Sequence, residues 1–248
     1  MRLLTNHRSI RSYLPKEIEA DLLTEILESG IRASNTGNMQ LYSVIVTRDA
    51  EKKKALAPLH FNQPMVMQAP LLLTICIDIN RFYKWCSLRN TKADFNNLLW
   101  LLNGTIDASL VAQNICVAAE DKGLGICYLG TALYNAPEIS SILKLPAGVI
   151  PITAITVGYP QVLPEQTDRL PFEAVIHYEE YSDFHESSIN ELYKDKENLD
   201  SSAKFVAENR KENLAQVFTE VRYKKADNEH FSKKLIAMLK SQGFDLEC

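Results

Sequence analysis

Cysteine is scarce in this chain and follows no pattern. Five cysteines, Cys76, Cys86, Cys116, Cys127 and Cys248, are spread over 248 residues with no C-x-x-C pair. That spacing excludes a zinc-binding framework and a disulfide scaffold, and it leaves no metal site to assign. Long apolar runs are missing as well: the longest, near residues 98–102, is far short of the ~20 residues a spanning helix needs, so no membrane partner is expected. No basic-then-apolar leader opens the sequence, and a reducing cytoplasm is the expected compartment. Positive charge is not in excess, with 27 Lys and Arg against 31 Asp and Glu and a formal net charge of −4, which speaks against a nucleic-acid protein. The two basic runs, Lys52-Lys53-Lys54 and Lys224-Lys225, read as solvated faces. A strand–G-x-G-x-x-G–helix unit is also absent. Gly123-Leu124-Gly125 follows a helical pattern instead, so a dinucleotide-binding Rossmann fold is not supported.

What is present is an alternating series of elements. Ile18, Leu22, Leu23, Ile26, Leu27 and Ile31 recur at helical spacing after Pro15, which suits a first helical turn, and Gly30 falls near the end. Residues 41–47 read as a buried strand, 51–59 as a short helix and 70–77 as the central strand. Residues 91–122 read as one long helix, apolar enough to be buried on most sides and ended by Gly123. A short strand over 126–129, a helix over 137–143 and a buried strand over 150–157 follow. A proline-ordered loop then leads to Pro171. The composition shifts after about Tyr181. Residues 187–202 are polar, and 203–221 and 231–239 read as amphipathic helices whose apolar stripes (Phe205, Leu214, Val217, Phe218; Leu235, Ile236, Leu239) need a surface to cover. The expected layout is α+β around a mixed, mostly antiparallel sheet wrapped by helices. Residues 1–181 form the core, and 182–248 a helical C-terminal extension that packs on the core or a partner subunit.

Four stretches carry chemistry. His7-Arg8-Ser9-Ile10-Arg11 offers cations; on helical or turn-like backbone His7 and Arg11 share a face, and the planar fork of Arg11 suits a phosphate. Asn35-Thr36-Gly37 offers an amide, a hydroxyl and a glycine that admits close backbone approach. Tyr128-Leu129-Gly130-Thr131 leads out of a strand with backbone N–H groups free to meet developing charge. Arg169, in Arg169-Leu170-Pro171, is a second phosphate partner or pairs with Asp168. Gln63, in a loop before Pro64, can reach a ring edge. Taken alone, each stretch also reads blandly: a basic terminal turn, a helix-end turn, an exposed loop glutamine, or a strand end whose Gly130 is there for its backbone angles. Together they suit a planar ligand with a phosphate tail, and flavin mononucleotide (FMN) fits best. Such a cofactor brings its own redox chemistry, so no catalytic side chain is required beyond the Gly130 and Thr131 N–H groups.

The order of these motifs resembles the flavin-dependent nitroreductase family, in particular its oxygen-insensitive nitroreductases and NADPH-flavin oxidoreductases with a long C-terminal extension. The resemblance runs through Gln63-x-x-Val66-x-Gln68-Ala69, Asp107-x-x-x-x-Ala112-Gln113-Asn114 and Gly123-Leu124-Gly125-x-x-Tyr128-x-Gly130 to Arg169-Leu170-Pro171, with Arg222-Tyr223 and Phe231-Ser232 in the tail. It implies a homodimer with one FMN per subunit at the interface and ping-pong transfer from NADPH or NADH to a nitroaromatic, a quinone or free flavin. The implied FMN contacts are His7, Arg8, Ser9, Arg11, Asn35, Thr36, Gly37, Gln63, Gly130, Thr131 and Arg169, with Tyr128 and Leu129 beside them. Arg222, Lys224 and Lys225 are weaker candidates for the nicotinamide nucleotide. The chain departs from the pattern at Thr167 and Leu133, where relatives carry basic residues, and at Asp227-Asn228, where a second tail arginine falls. A non-enzymatic FMN-storage protein and a flavin enzyme of another branch are the alternatives.

Overall fold

A computed structural model describes residues 2–246, in two compact units: residues 2–165 with 231–246, and residues 166–230. The first unit is built on four strands, β1 (Tyr42–Thr47), β2 (Leu71–Asp78), β3 (Gly125–Leu129) and β4 (Val149–Gly158), in the order β1-β2-β4-β3. All three pairings are antiparallel. The apolar run that marks residues 70–77 as central does so because every residue of β2 is buried; such a strand has no solvent face. Ser9 adds a parallel bridge to Ile126 on β3, so the sheet is mostly antiparallel, as expected.

Its helices are α1 (Arg2–Thr5), α2 (Ala20–Ile31), α3 (Ala50–Leu56), α4 (Pro64–Gln68), α5 (Asn80–Ser87), α6 (Leu98–Asp121) and α7 (Ala136–Leu143). Gly30 lies against α6, where a Cβ would stand 2.3 Å from the Ile115 side chain; the close approach of α2 and α6 requires that glycine. Gly123 has φ +76 and follows the last turn of α6, an αL helix stop. The cores on the two sheet faces include Leu73, Ile75, Val111 and Ile115 in one, and Ile10, Leu72, Leu129 and Ala154 in the other.

Four expectations need correction. Pro15 is not in a helix: the Leu14 N–H donates to the Tyr159 carbonyl (2.9 Å), and α2 starts only at Ala20. The long helix begins at Leu98 because the Asn97 side chain accepts from the Trp100 N–H and caps it there. Residues 80–87, left unassigned by periodicity, form α5, with the Asp78 carboxylate accepting the Arg81 N–H. Finally, α6 is not buried on most sides. Leu99, Leu102, Ile106 and Leu110 are 61%, 52%, 55% and 41% exposed, a stripe along one side of the helix.

The second unit holds α8 (Glu186–Glu197), α9 (Asp200–Glu208) and α10 (Leu214–Gln216), which continues as a π-helical turn, Val217–Arg222. The single helix expected over 203–221 is therefore broken, at Asn209–Asn213, where Arg210 takes φ +52. The polar stretch after Ser187 is helical; the His185 and Ser188 side chains form a capping box at its start. A last helix, α11 (Lys225–Ser241), follows, its residues from Phe231 onward counted with the first unit. Among the described residues no helix is long and apolar enough to cross a membrane. Cys76, Cys86, Cys116 and Cys127 are buried thiols; Cys248 lies outside the described residues.

Candidate functional site

The N-terminal motif is not helical. Past α1, the chain runs beside β3: Ser9 bridges Ile126, and the Ile10 N–H donates to the Ile126 carbonyl at 2.8 Å. Ile10 is buried against Gly125, where a Cβ would lie 2.4 Å from its side chain. That docking keeps the neighbouring polar residues at the surface of the strand. The exposed Arg11 cation lies near the buried Cys127 thiol, whose pKa burial raises and Arg11 lowers. His7 Nδ1 meets Glu120 Oε1 at 2.6 Å, at the end of α6. Arg8 donates only to the nearby Asn6 carbonyl, at 3.2 Å.

β3 then delivers the second motif. Leu129 is buried. Tyr128 has its ring partly exposed, with its hydroxyl beside Cys116, and burial holds the phenol well above its ordinary range. Gly130 opens a 3-10 turn, Gly130–Ala132, and the first N–H groups of such a turn have no partner within it. The φ of Gly130 is not positive, and nothing lies within 4 Å of where its Cβ would be. Backbone angles therefore do not demand a glycine here, and the surface beside it is open.

Thr131 is not alone. Its Oγ1 lies 2.8 Å from Nδ1 of His60, a residue with no solvent exposure on the turn Ala57–His60. The His60 carbonyl accepts from Gln63 Nε2 at 3.1 Å, so Gln63 and Thr131 meet through one residue. Burial lowers the His60 pKa from 6.5 to about 4, and its Nε2 has no partner. Phe61, exposed, packs edge-on to Phe231 and near Tyr134, whose rings stack at 4.8 Å.

The loop Asn35-Thr36-Gly37 is tied down by a second residue absent from the sequence-derived site. Asp107 of α6 is fully buried; its Oδ1 accepts from the Thr36 N–H (2.8 Å) and Thr36 Oγ1 (3.0 Å), and its Oδ2 from the Leu41 N–H (3.4 Å). The Thr36 hydroxyl is thus turned inward. Gly37 takes φ +57. Asn35 Oδ1 is enclosed and has no partner, an orphan acceptor of the kind a bound group completes.

The structure therefore gathers Ser9, Arg11, Tyr128, Leu129, Gly130, Thr131 and Gln63 around β3 and its exit turn, and fixes Thr36 on α6. Arg169 belongs to the second unit. Its Nη1 donates to the Thr167 and Asp168 carbonyls (3.2 and 2.9 Å), whereas the Asp168 carboxylate is held by Lys196 at 2.7 Å. The ion pair considered for Arg169 with Asp168 is not formed. In the same unit Arg222 lies over the Phe205 ring at 4.3 Å, and Lys225 is 3.7 Å from Glu229. His60 could have been suspected as a lone histidine on a turn between two prolines. Asp107 was visible as a carboxylate within the buried stripe Gly104, Ala108, Val111.

Comparison with known proteins gives the family. The Nitroreductase family matches residues 4–159. The chain is 32% identical over 207 residues to an FMN reductase (NADPH) of Bacillus subtilis, covering 79% of this chain and 83% of that one. It is 32% identical over 181 residues to an oxygen-insensitive NADPH nitroreductase of Salmonella typhimurium, covering 73% and 74%. A crystal structure from Bacteroides fragilis, 53% identical, superposes with a TM-score of 0.97 over 99% of this chain and 100% of that one.

Proposed function

The chain belongs to the nitroreductase family, and on that premise we propose that it is an FMN-dependent NAD(P)H oxidoreductase working as a homodimer in a reducing cytoplasm. The chemistry the cofactor supplies when bound is ping-pong two-electron transfer from NAD(P)H to a nitroaromatic, a quinone or free flavin. The residues present fit such a group. Asn35 Oδ1 is an enclosed acceptor awaiting a donor, the Gly130 turn leaves open space beside it, and the Arg11 cation lies along the strand that ends in that turn.

In this reading the Arg11 fork would take the phosphate, and the N–H groups of Gly130 and Thr131 would face the polar edge of the ring from the turn. Asn35, Gln63 and the Gly37 backbone hold polar edges, with Thr36 fixing the loop. His7, oriented by Glu120, joins Arg8 and Ser9 toward the ribityl phosphate; Arg169 is a further phosphate candidate, carried by the second unit. Arg222, Lys224 and Lys225 serve the electron donor. Residues 1–181 thus carry the flavin contacts and 182–248 the donor contacts. The exposed stripe Leu99, Leu102, Ile106, Leu110 supports the dimer, since a row of that size is costly to leave in water.

The observation that carries the proposal is the open Gly130–Thr131 turn, backed by a buried histidine, with the Arg11 cation on the segment that runs beside the strand leading to it. Anaerobic titration of the FMN-reconstituted protein with NADH and with NADPH tests it. One flavin per chain, bleached by a nicotinamide nucleotide and restored by a quinone or nitrofuran, is expected. Absence of stoichiometric flavin, or a flavin that neither nucleotide reduces, would overturn it.

A further inference from the structure

We propose that His60 is a positioning residue for the flavin site: it locks the Thr131 hydroxyl as an outward donor and the Gln63 amide as an outward acceptor. The assignment rests on the FMN reading above.

Thr131 Oγ1 lies 2.8 Å from His60 Nδ1, and which atom donates follows from the other ring nitrogen. His60 has no exposure and is neutral at ordinary pH, with its pKa depressed to about 4. It therefore carries one proton, on one of two nitrogens. A proton on Nε2 would leave a buried N–H with no acceptor, because Nε2 has no partner. A proton on Nδ1 leaves only a bare lone pair there, and orphaned acceptors are better tolerated than orphaned N–H donors. The ring is thus the Nδ1–H tautomer, and it donates to Thr131.

Two consequences follow. A hydroxyl has one hydrogen, and with its oxygen engaged by His60 that hydrogen points away from the histidine. Thr131 is half-buried and next to the open side of the Gly130 turn, so that hydrogen is left to meet a group bound there. At the same time the His60 carbonyl accepts Gln63 Nε2 at 3.1 Å, which leaves the Gln63 amide oxygen as the free end. One buried residue thereby fixes a donor and an acceptor together, the complement of a ring edge that alternates C=O and N–H, as the pyrimidine edge of a flavin does. The intervening backbone supports this. Phe61 and Asn62 are consecutive non-glycine residues with φ +55 and +52, a strained pair retained between the two anchored residues.

The test compares FMN affinity, by quenching of flavin fluorescence, with the absorbance spectrum of the bound flavin in wild type, His60→Leu, His60→Asn, Thr131→Val and the His60→Leu/Thr131→Val double variant. His60→Leu and Thr131→Val are each expected to bind FMN about 10-fold more weakly, the loss of one net hydrogen bond, and to shift the spectrum alike. The double variant is expected to be no weaker than Thr131→Val. His60→Asn, whose amide N–H can stand in for Nδ1–H, is expected to restore binding, which a merely space-filling histidine would not predict. Wild-type binding with an unaffected His60→Leu, or single losses that multiply to about 100-fold in the double variant, overturns this assignment alone. A wild type that takes up no flavin overturns the FMN reading with it. Should His60→Leu fail to fold, the ring tautomer read from 15N chemical shifts of the unmutated protein decides: protonated Nδ1 is expected, and protonated Nε2 overturns the proposal.

Discussion

At the scale of single residues, the two arginines of the N-terminal motif are not equivalent. Arg11 lies against Cys127 on the strand that leads to Thr131, whereas Arg8 reaches only the Asn6 carbonyl. A hydrogen bond from a guanidinium to an anionic group contributes roughly 1.5–3 kcal/mol. Arg11→Ala is therefore expected to weaken FMN binding by about 10- to 100-fold, and Arg8→Ala by clearly less; equal losses in a fluorescence titration would contradict the distinction. His60 makes a separate prediction about stability. Its pKa lies near 4 in the folded chain against 6.5 ordinarily. Above pH 6.5 neither state binds the proton and the contribution is complete. Between pH 6.5 and about 4 only the unfolded chain binds it, so stability falls as the pH drops through that window, by roughly 3 kcal/mol in full. Urea unfolding at pH 7 and pH 5 checks this: wild type is expected to lose more stability than His60→Asn, and equal losses would exclude His60 as the source.

At the scale of elements, α6 acts as a post to which a loop is tied. Asp107 receives two N–H groups and a hydroxyl from residues 36–41. Asp107→Ala strands those donors, and a fall in unfolding free energy of about 2–4 kcal/mol, together with weaker flavin binding, is expected. Unchanged denaturation would show the loop to be held otherwise. This is also where reading the sequence worked and where it stopped. The strands were legible because β2 and β4 are mostly apolar and buried almost throughout, and the Gly123 stop because only glycine takes its φ cheaply. Pro15 misled because a tertiary bond from Leu14 to Tyr159 overrides a local preference. The helix α5 was missed because it is only eight residues long and polar on average, although its apolar side chains do fall on one face. Thr36, Gln63 and Thr131 were proposed from local motifs, but the residues that anchor them, Asp107 and His60, were not. Those lie 71 and 71 residues away from Thr36 and Thr131, and no local pattern encodes such a pairing.

At the scale of the whole molecule, the stripe on α6 is the proposed dimer surface. Ile106 is its middle member and 55% exposed, so Ile106→Asp removes apolar area and places a charge where the proposed partner helix would sit. The variant is expected to sediment as a monomer at concentrations where wild type is a dimer; a variant that stays dimeric would move the interface elsewhere. The buried thiols Cys76 and Cys116, both held near 12 by burial, are almost wholly protonated at neutral pH, which suits a protein whose redox work is assigned to a bound group rather than to sulfur.

The run from His7 to Arg11 is held by Ile10 wedged beside Gly125, by the contacts of Ser9 and Ile10 with Ile126, and by His7 against Glu120. The cationic flank of the proposed pocket is thereby seated on one buried side chain, so a substitution that unseats Ile10 is expected to be felt at the coenzyme as well as in the sheet.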